Sequence, residues 1–267
     1  MITNQERSFM TYNDLPQLRA TTIKTYIEHS PMTAKYILDK NEDKPEYAIG
    51  RLCHSWLETG TKDLDGYELC PYDSYRSKDA RIWRDDVIAG GKIPLTQDDY
   101  INLQGMVDGI LGQTPDHIER LIREGIKEEV FVYGDYKAQL DISHPDGDID
   151  WKTCAQIARC EIDARRFHHF VQAYHYKMCK YQTDDIDKML EVPFYFGYIS
   201  KKAPYETLYF VMTRDAYEIG RQDWQEGVDR IRKAEEFGVY ANTHNNSVVP
   251  FSVTFHDNDD YALEVTE

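Results

Sequence analysis

Apolar residues recur at helical spacing through the first half of the chain and change to alternation near Glu128. Residues 21–40 read as helical, with Ser30-Pro31 marking a break or a new helix start. In 48–58, the apolar residues Ile49, Leu52, Cys53, Trp56 and Leu57 follow the pattern of one helix face. That helix leaves Gly50, His54 and Glu58 on a different face. Residues 78–89 and 97–112 predict two more helices, separated by an interruption at Gly90-Gly91-Lys92-Ile93-Pro94. Thr96 suits an N-cap, and Asp98 and Asp99 suit the positive end of the helix that follows.

Beyond Glu128, the stretch Val130-Phe131-Val132-Tyr133 is rich in strand formers and Gly134-Asp135 can turn. Lys137 to Ser143 alternates as a second strand. His144-Pro145-Asp146-Gly147 is a turn signal, and Asp148 to Thr153 forms a third strand. Short turns between the three predict an antiparallel meander. A long helix follows, with an apolar stripe of Phe167, Phe170, Val171, Tyr174, Met178 and Tyr181. Val192–Ile199 and Leu208–Met212 read as strands, Asp215–Phe237 as a final helix, and the tail after Val239 as irregular and acidic. This order predicts an α/β (α+β) fold with a mixed central sheet flanked by helices. Without repeats, low-complexity tracts or linkers, residues 1–267 read as a single domain, with a helical part over about 1–125 and a core over about 126–237.

Composition narrows the class. At 267 residues, 41% apolar and 29% charged, the chain reads as soluble and globular. No apolar run approaches the ~18 residues of a membrane span, and the start lacks the pattern of a secretory signal. Cys53, Cys70, Cys154, Cys160 and Cys179 are odd in number and lack CxxC spacing, so free thiols in a reducing cytoplasm are expected. The net charge of −16 argues against a nucleic-acid partner unless a specific motif outweighs it.

Such a motif lies in the meander. Asp141 ends one strand and Asp150 lies on its hairpin partner. Neighbouring strands are only about 4.8 Å apart, so the carboxylates can face each other. Their repulsion is relieved by a divalent cation. Asp150 and Lys152 are two apart and share a face, which sets an ammonium beside two hard oxygen ligands suited to Mg²⁺. Phosphodiester hydrolysis needs a metal for the phosphoryl charge and a group to orient the attacking water. The Trp151 carbonyl offers a further ligand. A lone Asp-x-Lys is more often a solvated strand face with a casual ion pair, so its neighbours decide the reading.

This arrangement resembles the PD-(D/E)XK nuclease core, with its restriction-endonuclease-like fold. Gln172-Ala173-Tyr174-His175-Tyr176 resembles the Gln-x-x-x-Tyr element of the exonuclease-VIII, lambda-exonuclease and RecB-type branch. Ala48 to Glu58 resembles the I-G-x-L-x-H-x-x-L-E helix of the exonuclease VIII family, and Trp83-Arg84 through Gly91-Lys92-Ile93-Pro94-Leu95-Thr96 resembles its spacer. Trp151 departs from the aliphatic residue usual inside the motif. The resemblance implies catalytic roles for Lys152, Asp141, Asp150, Gln172 and Tyr176, and metal roles for His54, Asp141, Asp150, Trp151 and an upstream acid. That acid lies between Glu128 and Glu129; Glu129 is taken. The implied cofactor is Mg²⁺, two per site, with Mn²⁺ able to substitute.

The implied activity is digestion of linear double-stranded DNA from 5′ to 3′, leaving 3′ overhangs for single-strand annealing recombination. A phage-encoded enzyme in the bacterial cytoplasm, working with an annealing protein and away from membranes, fits this role. Alternatives are a RecB-like nuclease in another DNA-processing role and a non-catalytic DNA-binding protein on the same fold. The related exonucleases form rings, which implies a trimer or tetramer with basic residues lining a channel. Arg51, Arg165 and Arg166 are the DNA-binding candidates, with Lys78, Arg81 and Arg84 as further channel residues.

Overall fold

Capping chemistry sets several of the helix starts in the first half of the chain. The computed structural model describes residues 11–40, 48–238 and 240, with the backbone of 254–255 and 261–262. Helices α1 (Ala20–Glu28) and α2 (Pro31–Lys40) meet at Ser30, whose hydroxyl accepts the Thr33 N–H at 3.3 Å. Helix α3 (Ala48–Thr59) buries Leu52, Cys53 and Trp56, as its periodicity predicts. A short strand β1 (Tyr67–Leu69) precedes α4 (Lys78–Ala89), and β2 (Ile93–Leu95) follows it. The two strands pair in parallel, at the place where the sequence shows only an interruption. Three residues are too few to display a period. In α5 (Gln97–Gln113), Thr96 accepts the Asp99 N–H at 3.0 Å, and Asp99 accepts the Thr96 N–H at 3.1 Å. This reciprocal pair fixes the helix start. A further helix, α6 (Asp116–Glu124), buries Ile118, Leu121 and Ile122.

The expected meander is present as β3 (Ile126–Tyr133), β4 (Tyr136–Ser143) and β5 (Asp148–Cys154), all antiparallel. Helix α7 (Cys160–Arg166) leads to α8 (His169–Tyr181). Phe167 falls before α8 and is exposed, because His168 takes a left-handed conformation that starts the helix afresh. The crossover continues through α9 (Ile186–Leu190) to β6 (Phe194–Ser200), which lies parallel to β5. Strand β7 (Thr207–Val211) closes the sheet antiparallel to β6, and α10 (Arg214–Phe237) follows. The sheet order β3-β4-β5-β6-β7 is mixed and mostly antiparallel, in agreement with the sequence reading. Most of the tail after Val239 lies outside the described residues; within it, 254–255 and 261–262 pair as two short strands.

Core residues fall into two layers, one on each face of the sheet. Ile23 of α1, Val171, Tyr174 and Met178 of α8, and Trp224 and Val228 of α10 pack with Leu140, Phe194 and Phe196. Leu52 and Trp56 of α3, Leu103 and Met106 of α5, and Leu121 of α6 pack with Ile142, Ile149 and Trp151. Trp151 lies beside Gly197 in the β5–β6 register, and a Cβ at Gly197 would collide with its indole ring. The five cysteines are free and buried. Among the described residues no helix is long and apolar enough to cross a membrane.

Candidate metal centre

Strict alternation fails on β4 at one place. Leu140 packs in the first core layer and Ile142, two residues on, in the second. Between them lies Asp141, and the facing strand has Glu128 at φ +50°. A left-handed glutamate is uncommon and costs about 1–3 kcal/mol of local strain. The β3–β4 ladder pairs Lys127 with Ile142 and Glu129 with Leu140, and skips the residues between. Between β4 and β5, Ile142 pairs in register with Ile149. Next to it the Asp141 carboxylate takes the Trp151 N–H itself, at 2.6 Å. A side chain thus replaces a ladder partner, and the strands part where the carboxylates lie.

This opening brings His54, Glu128 and Asp141 together, with one ligand atom of each within 4.8 Å of the others. The acid delivered is Glu128; Glu129 stays in register with Leu140. Alternation counted from Val130 could not reveal this, because the left-handed turn at Glu128 resets the face. His54 reaches Asp141 from α3, Nδ1 to Oδ2 at 3.4 Å. The three residues line a cleft of about 480 Å³ with Gly50, Arg51, Ser55 and Glu58 of α3, Trp151 to Thr153 of β5, and Lys201. The polar face read from the α3 sequence is therefore the cleft wall.

Electrostatics suit this group to a cation. Burial, then the carboxylates of Asp141 and Glu58, push Glu128 up to about 7. Burial also opposes ionisation of Asp141, but His54, Lys152 and the Trp151 N–H outweigh it and hold the carboxyl below its usual range. Burial favours neutral His54, yet Asp141 prevails and its pKa rises. One imidazole nitrogen and two carboxylates at this spacing fit a divalent metal, which would discharge the repulsion borne by Glu128.

Asp150 lies beside this trio but is engaged elsewhere. Its Oδ1 accepts from Gln172 Nε2 at 2.8 Å, and its Oδ2 meets the Lys152 ammonium. Burial and Asp141 raise its pKa, against the pull of Lys152. Gln172 also donates to the Tyr176 hydroxyl at 2.9 Å, so the α8 pair forms one chain ending on the Asp150 carboxylate. Lys24 of α1 donates to Gln172 Oε1 at 3.4 Å. No local sequence pattern marks Lys24, because 148 positions separate it from its partner. His175, inside the same α8 motif, is structural. Trp224 Nε1 donates to its Nδ1 at 3.0 Å, so its Nε2 carries the hydrogen toward the Lys137 carbonyl at 2.8 Å. Burial lowers its pKa to about 4, which keeps it neutral.

The basic candidates diverge. Arg51 is on the cleft wall. Arg165 pairs with Glu161 at 2.8 Å on exposed α7, and the Arg166 guanidinium lies 5.4 Å from the Phe167 ring centre. Arg84 pairs with Asp85 at 2.7 Å. Lys201, reached through a loop beyond β6, adds a positive charge to the cleft that no sequence signal marked.

Comparison with known proteins gives the same class. No curated protein matches the sequence. A crystal structure of a protein from Eubacterium rectale, described as a candidate exonuclease, is similar in fold with a TM-score of 0.62. The similarity spans 95% of this chain and 97% of that one, at 12% identity. A family model described as a PDDEXK-like domain of unknown function (DUF3799) matches residues 23–242. That match covers most of the sequence, including every element of the site, and the chain belongs to this PDDEXK-like family.

Proposed function

We propose that this protein is a metal-dependent exodeoxyribonuclease that digests linear double-stranded DNA from 5′ to 3′ and leaves 3′ overhangs for annealing recombination. The observation that carries the reading is the parting of strands at Asp141. It sets a three-residue cation group beside Lys152, whose carboxylate partner is fixed from α8. His54, Glu128 and Asp141 would hold the first Mg²⁺ or Mn²⁺, and Asp150 and the Trp151 carbonyl border a second position. When bound, the cation neutralises phosphoryl charge and makes a water more acidic. Lys152 would donate to that water to orient it and offset negative charge developing beside it, while Asp150 holds the ammonium in place. Arg51 and Lys201 grip flanking phosphates from the cleft wall. The carboxylate-rich site and the charge of −16 favour a ring of three or four subunits with a basic channel and an acidic exterior. Light scattering then reads three or four times 31.3 kDa.

The test uses linear duplexes labelled at either end, with Mg²⁺, Mn²⁺ or EDTA. Release of the 5′ label first, only with metal, is the expected result. Lys152→Ala should lower the rate at least about 10³-fold, roughly 4 kcal/mol of barrier, with duplex affinity nearly intact. Cleavage in EDTA, or near-normal turnover by the variant, removes this mechanism.

A further inference from the structure

Gln172 uses both of its N–H donors and its carbonyl oxygen in hydrogen bonds. Its two N–H groups go to Asp150 Oδ1 at 2.8 Å and to the Tyr176 hydroxyl at 2.9 Å. Its carbonyl oxygen accepts from Lys24 Nζ at 3.4 Å. An amide can flip, and Gln172 flipped would turn its oxygen toward a carboxylate and its NH₂ toward an ammonium. Both contacts would be repulsive, because a carboxylate only accepts and an ammonium only donates. Tyr176 can donate or accept, so it does not choose between the two orientations. The choice falls to Asp150 and Lys24, one at each end of the amide.

Lys24 is held for this task. Its neighbour Ile23 is fully buried in the first core layer, Tyr26 is nearly so, and α1 packs on both α8 and α10. The Lys24 side chain is thereby brought to α8 within electrostatic reach of Asp150 and Lys152. Burial, then Lys152, lower its pKa to about 8, so it carries its charge at neutral pH. It is not among the residues lining the catalytic cleft.

We propose that Lys24 is a positioning residue: by holding the oxygen end of the Gln172 amide, it fixes the Asp150 carboxylate that in turn holds Lys152. The inference rests on the nuclease reading for its effect on rate, but not for its effect on Gln172. Lys24 acts through Gln172, so its removal costs nothing once Gln172 is gone. A lysine that touched DNA phosphates would instead lower affinity by a similar factor in either background.

The experiment compares Lys24→Met, Lys24→Arg, Gln172→Ala and the Lys24→Met/Gln172→Ala double variant. Single-turnover cleavage in Mg²⁺ and duplex affinity in Ca²⁺ are measured for each. The ¹⁵N-labelled side-chain NH₂ signals of Gln172, assigned by their loss in Gln172→Ala, report on the amide itself. Lys24→Met is expected to slow cleavage about tenfold, about 1.4 kcal/mol, with affinity unchanged within about twofold. The double variant is expected to be no slower than Gln172→Ala. The Gln172 NH₂ signals are expected to shift in Lys24→Met and to return in Lys24→Arg. Lys24→Ala, which also lacks a donor, gives the same comparison if Lys24→Met does not fold. Losses that multiply in the double variant, a weakened duplex affinity, or unmoved Gln172 signals each overturn the proposal. Should the wild-type protein leave DNA intact, the nuclease reading fails, and the Gln172 signals still decide the role of Lys24.

Discussion

Asp148 and Asp150 are two residues apart on β5, and both meet side chains of α8, yet their surroundings are opposite. Asp148 is fully buried between two ammonium groups, Lys177 at 3.0 Å and Lys180 at 2.5 Å. Lys177 also donates to the Val192 carbonyl at 2.6 Å, and burial lowers its pKa to about 8 without removing its charge at neutral pH. At that end of the strand the cations exceed the carboxylate and solvent is excluded. Two residues on, Asp150 gathers with Asp141, Glu128 and Glu58 around Lys152 and His54, and the adjoining cleft is open. A saturated cluster ties helix to sheet and offers nothing to a ligand. A cluster short of positive charge and open to solvent calls for a cation from outside. Burial alone does not separate them, since Asp150 is nearly as buried as Asp148. The local charge balance does.

The strongest way to break the contrast is to remove Asp148. Asp148→Ala leaves two ammonium groups without their carboxylate, and losing one partner of a buried pair costs about 3–5 kcal/mol. Chemical denaturation should show that loss while activity per folded molecule persists. Asp141→Ala, in the open cluster, should lose metal-dependent cleavage with a smaller stability loss, about 1–3 kcal/mol from the Trp151 N–H left without its acceptor. Equal stability losses in the two variants would erase the distinction drawn between the sites.

A smaller effect sharpens it. Glu128 ionises near 7 in the metal-free protein, against an ordinary 4.5. Between these values the unfolded chain has released a proton that the folded one keeps, so this group lowers stability as pH rises through that window. Glu128→Gln removes the penalty. In EDTA at pH 8 the variant should melt about 2–4 °C above wild type, the shift from ~1 kcal/mol after discounting for partial exposure. At pH 4 the two should converge. Mn²⁺ should raise the melting temperature of wild type and leave the variant unmoved. A variant no more stable than wild type at pH 8 would show that Glu128 carries no such strain.

Most of the fold was legible because its signals are periodic or chemical. The α3 stripe, the Thr96 cap and the meander turns each have a local cause, and the structure has them where the sequence implied. The three-residue strands β1 and β2 were not legible, since their pairing is set by the helix between them. Helix α6 has a stripe in Ile118, Leu121 and Ile122, but its nine residues are too few for the period to stand out. In the site, the resemblance led to His54, Asp141, Asp150, Lys152, Gln172 and Tyr176, which are gathered around one junction. Glu128 was ambiguous because its position depends on a left-handed backbone, and alternation assumes a regular strand. Lys24 and Lys201 were invisible because their neighbours are remote in sequence.

The close approach of Trp151 to Gly197 couples two positions on neighbouring strands. A Cβ at Gly197 would collide with the indole and lie 3.1 Å from the Tyr209 ring. With an aliphatic residue in place of Trp151 the first clash is gone, and only the Tyr209 ring has to yield. A side chain at Gly197 is therefore tolerated only once the indole has been removed, so the residue inside the motif sets what the adjoining strand can carry.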